Sequence, residues 1–227
     1  MSFKVAEKFI SINGESRFAG ELAVFIRFAG CNLSCSYCDT AWAIPMDCPH
    51  EEMSIKELTD YVVASGVDRV TLTGGEPLLQ EDIESLVAEL IGRNKKVEIE
   101  TNGAVSIAPL MEMAARLSIT DEMSVTLDYK CPSSGMEEFN IEENYALLRE
   151  YDTVKFVVGS REDMEKAEKI ISGYRLIDRH IAVYLSPVFG RIESSEIVEY
   201  MKNSNMNGVR HQLQQHKFIW DPDKRGV

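Results

Sequence analysis

The sequence has little that would carry it to a membrane or a nucleic acid. No apolar run approaches the roughly 18 residues needed to cross a bilayer. The opening MSFKVAEKFISINGES holds no long apolar segment of the secretory kind. Positive charge is scarce: 24 Lys and Arg stand against 37 Asp and Glu, a formal net charge of -13. Phosphate backbones demand clustered cations, so nucleic acid is excluded as the main partner, whereas a small anion held by one or two buried cations is not. Repeats, low-complexity segments and linkers are also missing. The expectation is one cytoplasmic globular domain over 1–227, with no membrane partner, 44% hydrophobic and large enough for a substantial core.

Cysteine is sparse too, five in all, and does not form a disulfide framework. Cys48 and Cys131 stand alone and read as bystanders. The other three fall in GCNLSCSYCDT (30–40), spaced C-x3-C-x2-C at Cys31, Cys35 and Cys38. In a reducing compartment a tight cluster means metal or catalysis. A zinc site normally takes four ligands. Here the second cysteine pair is missing and His50, beyond a loop with Pro45 and Pro49, is the only nearby histidine. Cubane iron–sulfur clusters are held by thiolates, usually four. Three thiolates leave one iron open, and an open coordination position separates catalytic metals from structural ones.

Around this loop the pattern is strand, loop, helix, repeated. ELAVFIRF (21–28), VDRVTLT (67–73), VEIET (97–101), MSVTLDY (123–129), TVKFVV (153–158) and IAVYL (181–185) read as strands, and GVRHQLQ (208–214) as a last extended piece. A Ser54–Glu57 capping box opens a helix to about residue 65. Ile83, Leu86, Val87, Leu90 and Ile91 share one helical face. Further helices are expected at about 107–117, 140–150, 162–173 and 194–203. Alternation of this kind implies a parallel sheet with helical crossovers. Six units predict an α/β fold of partial (β/α)6 barrel type, with an open doubly wound sheet as second choice. In either, functional groups gather past the carboxyl ends of the strands. The cysteine loop, Gly74-Gly75-Glu76-Pro77 and Glu100-Thr101-Asn102-Gly103 all lie at such ends. The two glycines of GGEP permit unusual φ and Pro77 suits a first helical turn; Glu76 is either aimed at a ligand or supports the loop. Asp128-Tyr129-Lys130 closes another strand and faces either a ligand or solvent.

The C-x3-C-x2-C spacing, with Tyr37 just before the last cysteine, resembles the radical S-adenosylmethionine (SAM) superfamily. That resemblance implies a [4Fe–4S] cluster whose open iron chelates SAM and whose electron cleaves it to methionine and a 5′-deoxyadenosyl radical. Further stretches narrow it: Ser11-Ile12-Asn13-Gly14-Glu15, Arg27, Asp39-Thr40, LTGGEPLLQ, ETNG, Lys130-Cys131-Pro132 and QLQQHK (212–217). Together, from about Ser11 to the end, they resemble the 7-carboxy-7-deazaguanine synthase family. The resemblance implies conversion of 6-carboxy-5,6,7,8-tetrahydropterin to 7-carboxy-7-deazaguanine with loss of ammonia, in queuosine or 7-deazapurine biosynthesis. SAM would be regenerated, Mg2+ required, and the protein a homodimer reduced by a flavodoxin or ferredoxin.

The resemblance also implies roles. Cys31, Cys35 and Cys38 hold the cluster. Tyr37, Cys38, Asp39, Gly75, Glu100, Asn102, Asp128, Tyr129 and Lys130 surround SAM. Thr40 is a neutral oxygen ligand for Mg2+. Ile12, Asn13, Gly14, Arg27, Thr73, His216 and Val227 contact the pterin, with the N-terminal segment binding it and the C-terminal tail closing over it. Arg27 suits a carboxylate bidentately; the competing reading pairs it with a structural acid such as Glu15. His216 is equally a satisfied structural histidine. Many family members carry Gln where this chain has Asn13. Two other functions share the cluster loop: an activase that generates a glycyl radical on a partner protein, and a metal-binding module without turnover. Arg27, Thr40 and the tail favour a small carboxylated substrate.

Overall fold

The structure, a computed structural model, describes residues 2–222 and 224–227. Nine strands are present among the described residues: β1 (Phe3–Ile12), β2 (Leu22–Phe28), β3 (Glu51–Met53), β4 (Arg69–Gly74), β5 (Lys96–Thr101), β6 (Met123–Tyr129), β7 (Thr153–Val158), β8 (Ala182–Pro187) and β9 (Val209–His211). Between them lie α1 (Ile55–Ala64), α2 (Ile83–Gly92), α3 (Ala108–Arg116), α4 (Glu143–Leu147), α5 (Arg161–Gly173) and α6 (Ser194–Asn203), with α7 (His216–Ile219) after the last strand. The strands form a single sheet, ordered β3-β1-β2-β4-β5-β6-β7-β8-β9. β2 and β4 to β9 run parallel, and β1 is antiparallel to both β2 and β3. The order has two edges, β3 and β9, so the α/β fold is an open sheet of the expected partial-barrel type, extended by an antiparallel pair of strands.

That pair is the main departure from the sequence reading, which placed the first strand at 21–28. β1 hides because a register shift between Val5 and Glu7 changes its phase. Phe3 and Val5 are buried before it, and Glu7, Phe9 and Ser11 share one face after it. A bulge inserts one residue and breaks the period-two pattern. The expected helix at 140–150 shrinks to α4. Asn144 explains this: its side chain accepts from Ile107 N at 3.0 Å and donates to Gly103 O and Val105 O at 3.1 and 2.9 Å. The segment thus serves as a support for the loops after β5.

The sheet has an apolar and a polar face. Val70, Leu72, Val97, Ile99, Val125, Leu127, Val154, Phe156, Val183 and Leu185 alternate along their strands and pack under the helices. Each such burial stabilises by roughly 1.5–3 kcal/mol. The helices begin where short polar side chains cap them: Ser54 accepts from Glu57 N, and Ser160 from Asp163 N. On the other face the register lines up Phe25, Thr71, Glu98 and Ser124 in one row. Arg27 lies beside Thr73, and Glu100, Thr126 and Thr153 follow one another in a row. Asp128, Lys155, Tyr184 and Arg210 form a row nearer the carboxyl ends. A buried polar face is costly unless its groups are mutually satisfied, so these rows point to what the molecule does.

Candidate active site

The cysteine loop leaves the end of β2 and is tied back to GGEP at the end of β4. Gly75 N donates to Phe28 O at 3.0 Å and Glu76 N to Gly30 O at 2.7 Å. Gly75 is there because nothing larger fits: a Cβ would lie 2.0 Å from Gly30 O and 2.9 Å from Cys31 N. Gly75→Ala is expected to push the cysteine loop off the sheet. It should cost about 3 kcal/mol and leave apoprotein that takes up little iron on anaerobic reconstitution, measured as iron per chain beside a urea-unfolding curve. Wild-type iron uptake by the variant would show that the close approach is dispensable.

The three thiols are free and partly exposed. Cys31 Sγ accepts from Leu33 N at 3.4 Å and from Asn102 Nδ2 at 3.6 Å. Cys38 N donates to Cys35 O at 3.2 Å. Burial pushes the Cys31 and Cys35 thiols above the usual value. Among the described residues no three His, Cys, Asp or Glu converge on a single-ion site. A cubane instead asks each thiolate to bind a different iron, so three thiols spread along one loop, with N–H donors on Cys31 Sγ, fit a [4Fe–4S] cluster.

Glu76 is fully buried and acts as a staple. Its carboxylate accepts from Thr101 Oγ1, Leu78 N and Asn102 N at 2.9, 3.0 and 2.7 Å. Burial raises it to about 7, with those bonds working against the rise. Of the two readings of Glu76, the geometry matches support for the loop. Through Asn102 it reaches Cys31, so GGEP, ETNG and the cysteine loop form one connected wall. Asn102 Nδ2 also donates to Asn32 Oδ1 at 2.9 Å.

Beside this wall lies a compact group of charges. Arg27 Nε donates to Glu7 Oε1 at 2.8 Å and Nη1 to Gly74 O at 3.4 Å. The acid beside Arg27 is therefore Glu7; Glu15 goes elsewhere. Lys155 Nζ lies 3.1 Å from Glu15 Oε2 and 3.9 Å from Asp128 Oδ2, and Lys130 Nζ is 3.0 Å from Asp128 Oδ2. Burial disfavours the Lys155 ammonium, but Glu15, Asp128 and Glu100 more than offset this and hold its pKa above the usual value. Burial likewise pushes Glu15 up, and Lys155 brings it below its ordinary value. Burial raises Glu100 despite Lys155. Deeper in, burial and then neighbouring Glu100 raise Glu98 to about 7. Two carboxylate oxygens in this group, Glu15 Oε1 and Asp128 Oδ1, are buried without a hydrogen-bond partner. Unpaired buried acceptors are rare and call for a donor.

The remaining expected residues divide into those with free functional atoms and those already engaged. Thr40 Oγ1 is 3.7 Å from Cys38 Sγ. Asp39 lies 3.5 Å from Lys217 Nζ; burial pushes its carboxyl up, and Lys217, then Arg27, pull it lower than usual. Thr73 is buried beside Arg27. Tyr37 donates its hydroxyl to Val157 O at 3.2 Å. Tyr129 turns its ring into the helix-side core against Phe156 and Tyr145, so only its backbone faces the site. Asn13 is fully engaged: Oδ1 accepts from Thr71 Oγ1 at 2.9 Å and Nδ2 donates to Glu98 Oε2 at 3.1 Å. Its backbone pairs with Glu21 O and Gly20 N. Ile12 ends β1 next to it. His216 packs on Gly14, where a Cβ would come within 2.5 Å of Nδ1, and burial lowers its pKa. Val227 is half-buried, and Arg225 stacks on Trp42 with 3.4 Å to the ring centre.

Glu7, Glu15, Glu98, Lys155 and Lys217 join the site without having been singled out as site residues from sequence. A signal was present for Lys155 and Glu98: Lys155 is the lone charge of TVKFVV, and Glu98 alternates with Glu100 in VEIET, both strands otherwise destined for burial.

Three half-exposed thiols at the end of one strand of a mostly parallel α/β sheet, walled by glycine-rich strand ends, define a radical SAM enzyme, and the sequence profile described as the Radical SAM superfamily matches residues 25–129. A 7-carboxy-7-deazaguanine synthase of Clostridium acetobutylicum is 48% identical over the whole of both chains, and that of Chlorobaculum tepidum is 37% identical over 98% of this chain and 96% of its own. The chain belongs to the 7-carboxy-7-deazaguanine synthase family. Its fold matches the crystal structure of QueE from Escherichia coli, with a TM-score of 0.72 at 23% identity over 95% of each chain. It matches Streptococcus suis SuiB bound to S-adenosylmethionine less closely, with a TM-score of 0.57 at 14% identity over 83% of this chain and 51% of that one.

Proposed function

We propose that this chain converts 6-carboxy-5,6,7,8-tetrahydropterin to 7-carboxy-7-deazaguanine, releasing ammonia. The observation that carries the reading is the juxtaposition of the open three-thiol loop with a buried polar sheet face whose Arg27 and Lys155 suit a carboxylated, hydrogen-bond-rich small molecule. When bound, the cluster and SAM together supply one electron and a carbon centre able to take hydrogen from substrate.

The chain supplies placement. Cys31, Cys35 and Cys38 would hold the cluster, and with only three thiols from the chain it would have a position open for SAM. Gly75 offers backbone without a side chain, and Asn102, Glu100, Asp128, the Tyr129 backbone and Lys130 border the nucleoside, with Tyr37, Cys38 and Asp39 on the loop itself. Arg27, one edge of whose guanidinium bonds Glu7, turns Nη2 to the substrate carboxylate. Thr40 would offer one neutral oxygen to Mg2+, which would help to orient the substrate. The orphaned Glu15 Oε1 accepts an N–H of the pterin. Asn13, with its side chain committed to Glu98 and Thr71, acts as a rigid floor; Thr73, His216, Ile12, Gly14 and Val227 complete the walls. Rejection of analogues lacking a matching donor follows from the cost of leaving such buried groups unpaired. A reductant of the flavodoxin or ferredoxin type and a homodimeric state belong to the same reading, as does delivery of product to queuosine or a related 7-deazapurine. Among the described residues no helix is long and apolar enough to cross a membrane.

The test is anaerobic reconstitution followed by incubation with SAM, reductant, Mg2+ and the carboxypterin, with product identified by mass. The expected result is substrate-dependent deazaguanine with SAM left undepleted. Reductive SAM cleavage that continues without any deazaguanine would overturn the substrate assignment while leaving the enzyme class intact.

A further inference from the structure

Three successive residues of the loop after β1 are gripped by the chain's far end. Gln215 N donates to Gly14 O at 3.0 Å, and Gln214 Nε2 donates to Glu15 Oε2 at 3.1 Å. Gln212 makes a two-point clamp on Ser16. Ser16 N donates to Gln212 Oε1 at 2.7 Å, and Gln212 Nε2 donates to Ser16 O at 2.8 Å. The clamp is anchored, since Gln212 N donates to Leu185 O at 2.9 Å as the tail leaves β9.

Ser16 needs holding. It is 2% exposed and sits at φ +66°, a region where an L side chain is strained by its own Cβ. Its backbone N–H and C=O, buried, would each be costly without partners. A glutamine amide presents the same donor and acceptor as a peptide group and satisfies both at once. With Ser16 fixed, the preceding chain has one direction available. Asn13 lies on Thr71 and Glu98, and Glu15 meets Lys155 at 3.1 Å while its other oxygen is left unpaired.

We infer that Gln212 is a positioning residue for substrate: through its two bonds to Ser16 it sets the loop Asn13–Glu15 against Lys155 without touching the ligand. This rests on the carboxypterin reading of the site. Gln212→Glu keeps the acceptor for Ser16 N but sets a carboxylate oxygen against Ser16 O, so it should be no milder than Gln212→Ala in every readout. Ser16→Gly removes the strain, because glycine adopts positive φ freely, so it should shrink the effect of losing Gln212.

The experiment has two arms on matched preparations. In the first, amide hydrogen exchange at Ser16 is read without ligand; Gln212→Ala should speed it on the order of tenfold or more, in line with two lost hydrogen bonds. In the second, Gln212→Ala should raise the KM for carboxypterin about tenfold, while kcat and substrate-free reductive SAM cleavage stay within about twofold. In the Ser16→Gly background the KM penalty should fall to about threefold or less. Unchanged Ser16 exchange in Gln212→Ala overturns the clamp. Faster exchange with unchanged KM overturns the positioning role, and a parallel loss of kcat and SAM cleavage shows general disruption instead. Should the wild type fail to turn over carboxypterin, the substrate reading falls, and the exchange arm alone decides the clamp.

Discussion

Cys31→Ala, Cys35→Ala and Cys38→Ala should each be colourless after anaerobic reconstitution and should abolish turnover and reductive SAM cleavage, while unfolding at nearly the wild-type urea midpoint. The reason is where the thiols stand. All three are partly exposed on a loop beyond the end of β2, and none belongs to the apolar clusters under the helices. Deleting a half-exposed thiol therefore changes stability by no more than about 0.5 kcal/mol, while deleting one of only three protein ligands to a cubane removes the cofactor. Activity should fall by at least about a thousandfold, since no protein side chain can take over the cofactor's chemistry. Cys131→Ala is the informative contrast. Cys131 is fully buried in the helix-side core, so its loss should lower stability modestly and leave the brown colour intact. Retention of a redox-active cluster by any of the three loop variants would show that the ligand set is wrong. Loss of folding by all three would show that the loop is structural.

How far the sequence discloses this arrangement depends on the range of the interactions involved. The cysteine loop, GGEP and ETNG are short contiguous motifs, and strand–helix alternation is a local periodicity, so both could be read from the chain. β1 could not, because its phase changes at the register shift near Val5 and Glu7. The shortening of the 140–150 helix could not either, because Asn144 is bound by loop carbonyls some forty residues away. Arg27 was legible as a forked cation on an apolar strand, but the acid it pairs with, Glu7, was not. Glu15 is nearer in motif terms, yet Glu7 faces Arg27 in the register of β1 and β2. Partner choice across a sheet is set by register, which a linear reading does not contain. The same holds for the Gln212–Ser16 clamp, which spans 196 positions.

Register also created the second large expected effect. Asp128, Lys155 and Tyr184 are neighbours across β6, β7 and β8, and the loop after β1 brings Glu15 to the same ammonium. Lys155 is thus a cation set among Glu15, Asp128 and Glu100, its side chain 11% exposed. Lys155→Met keeps the length of the side chain and removes the charge. Breaking a buried pair from one side leaves an uncompensated charge and typically costs about 3–5 kcal/mol, so the urea midpoint at neutral pH should fall accordingly and carboxypterin turnover should disappear.

The pH dependence gives this prediction its sign. Glu15 is held below its ordinary value of 4.5, so its contribution is present above that value and is lost as pH falls through the lower folded one. Lys155 is held above its ordinary 10.5, so its contribution is present below 10.5 and is lost only as pH rises beyond the folded value. The stability gap between wild type and Lys155→Met should therefore be widest above the raised pKa of the variant's unopposed buried carboxylates, should begin to narrow above pH 4.5 as they take up protons, and should go on closing until pH falls through the lowered Glu15 value of the wild type. Glu15→Gln in the Lys155→Met background should recover part of the loss, because it removes the charge that the lysine had matched. An equal gap at neutral pH and in acid, or a neutral gap under about 1 kcal/mol, would mean that water reaches this group freely and that Lys155 does not organise the site.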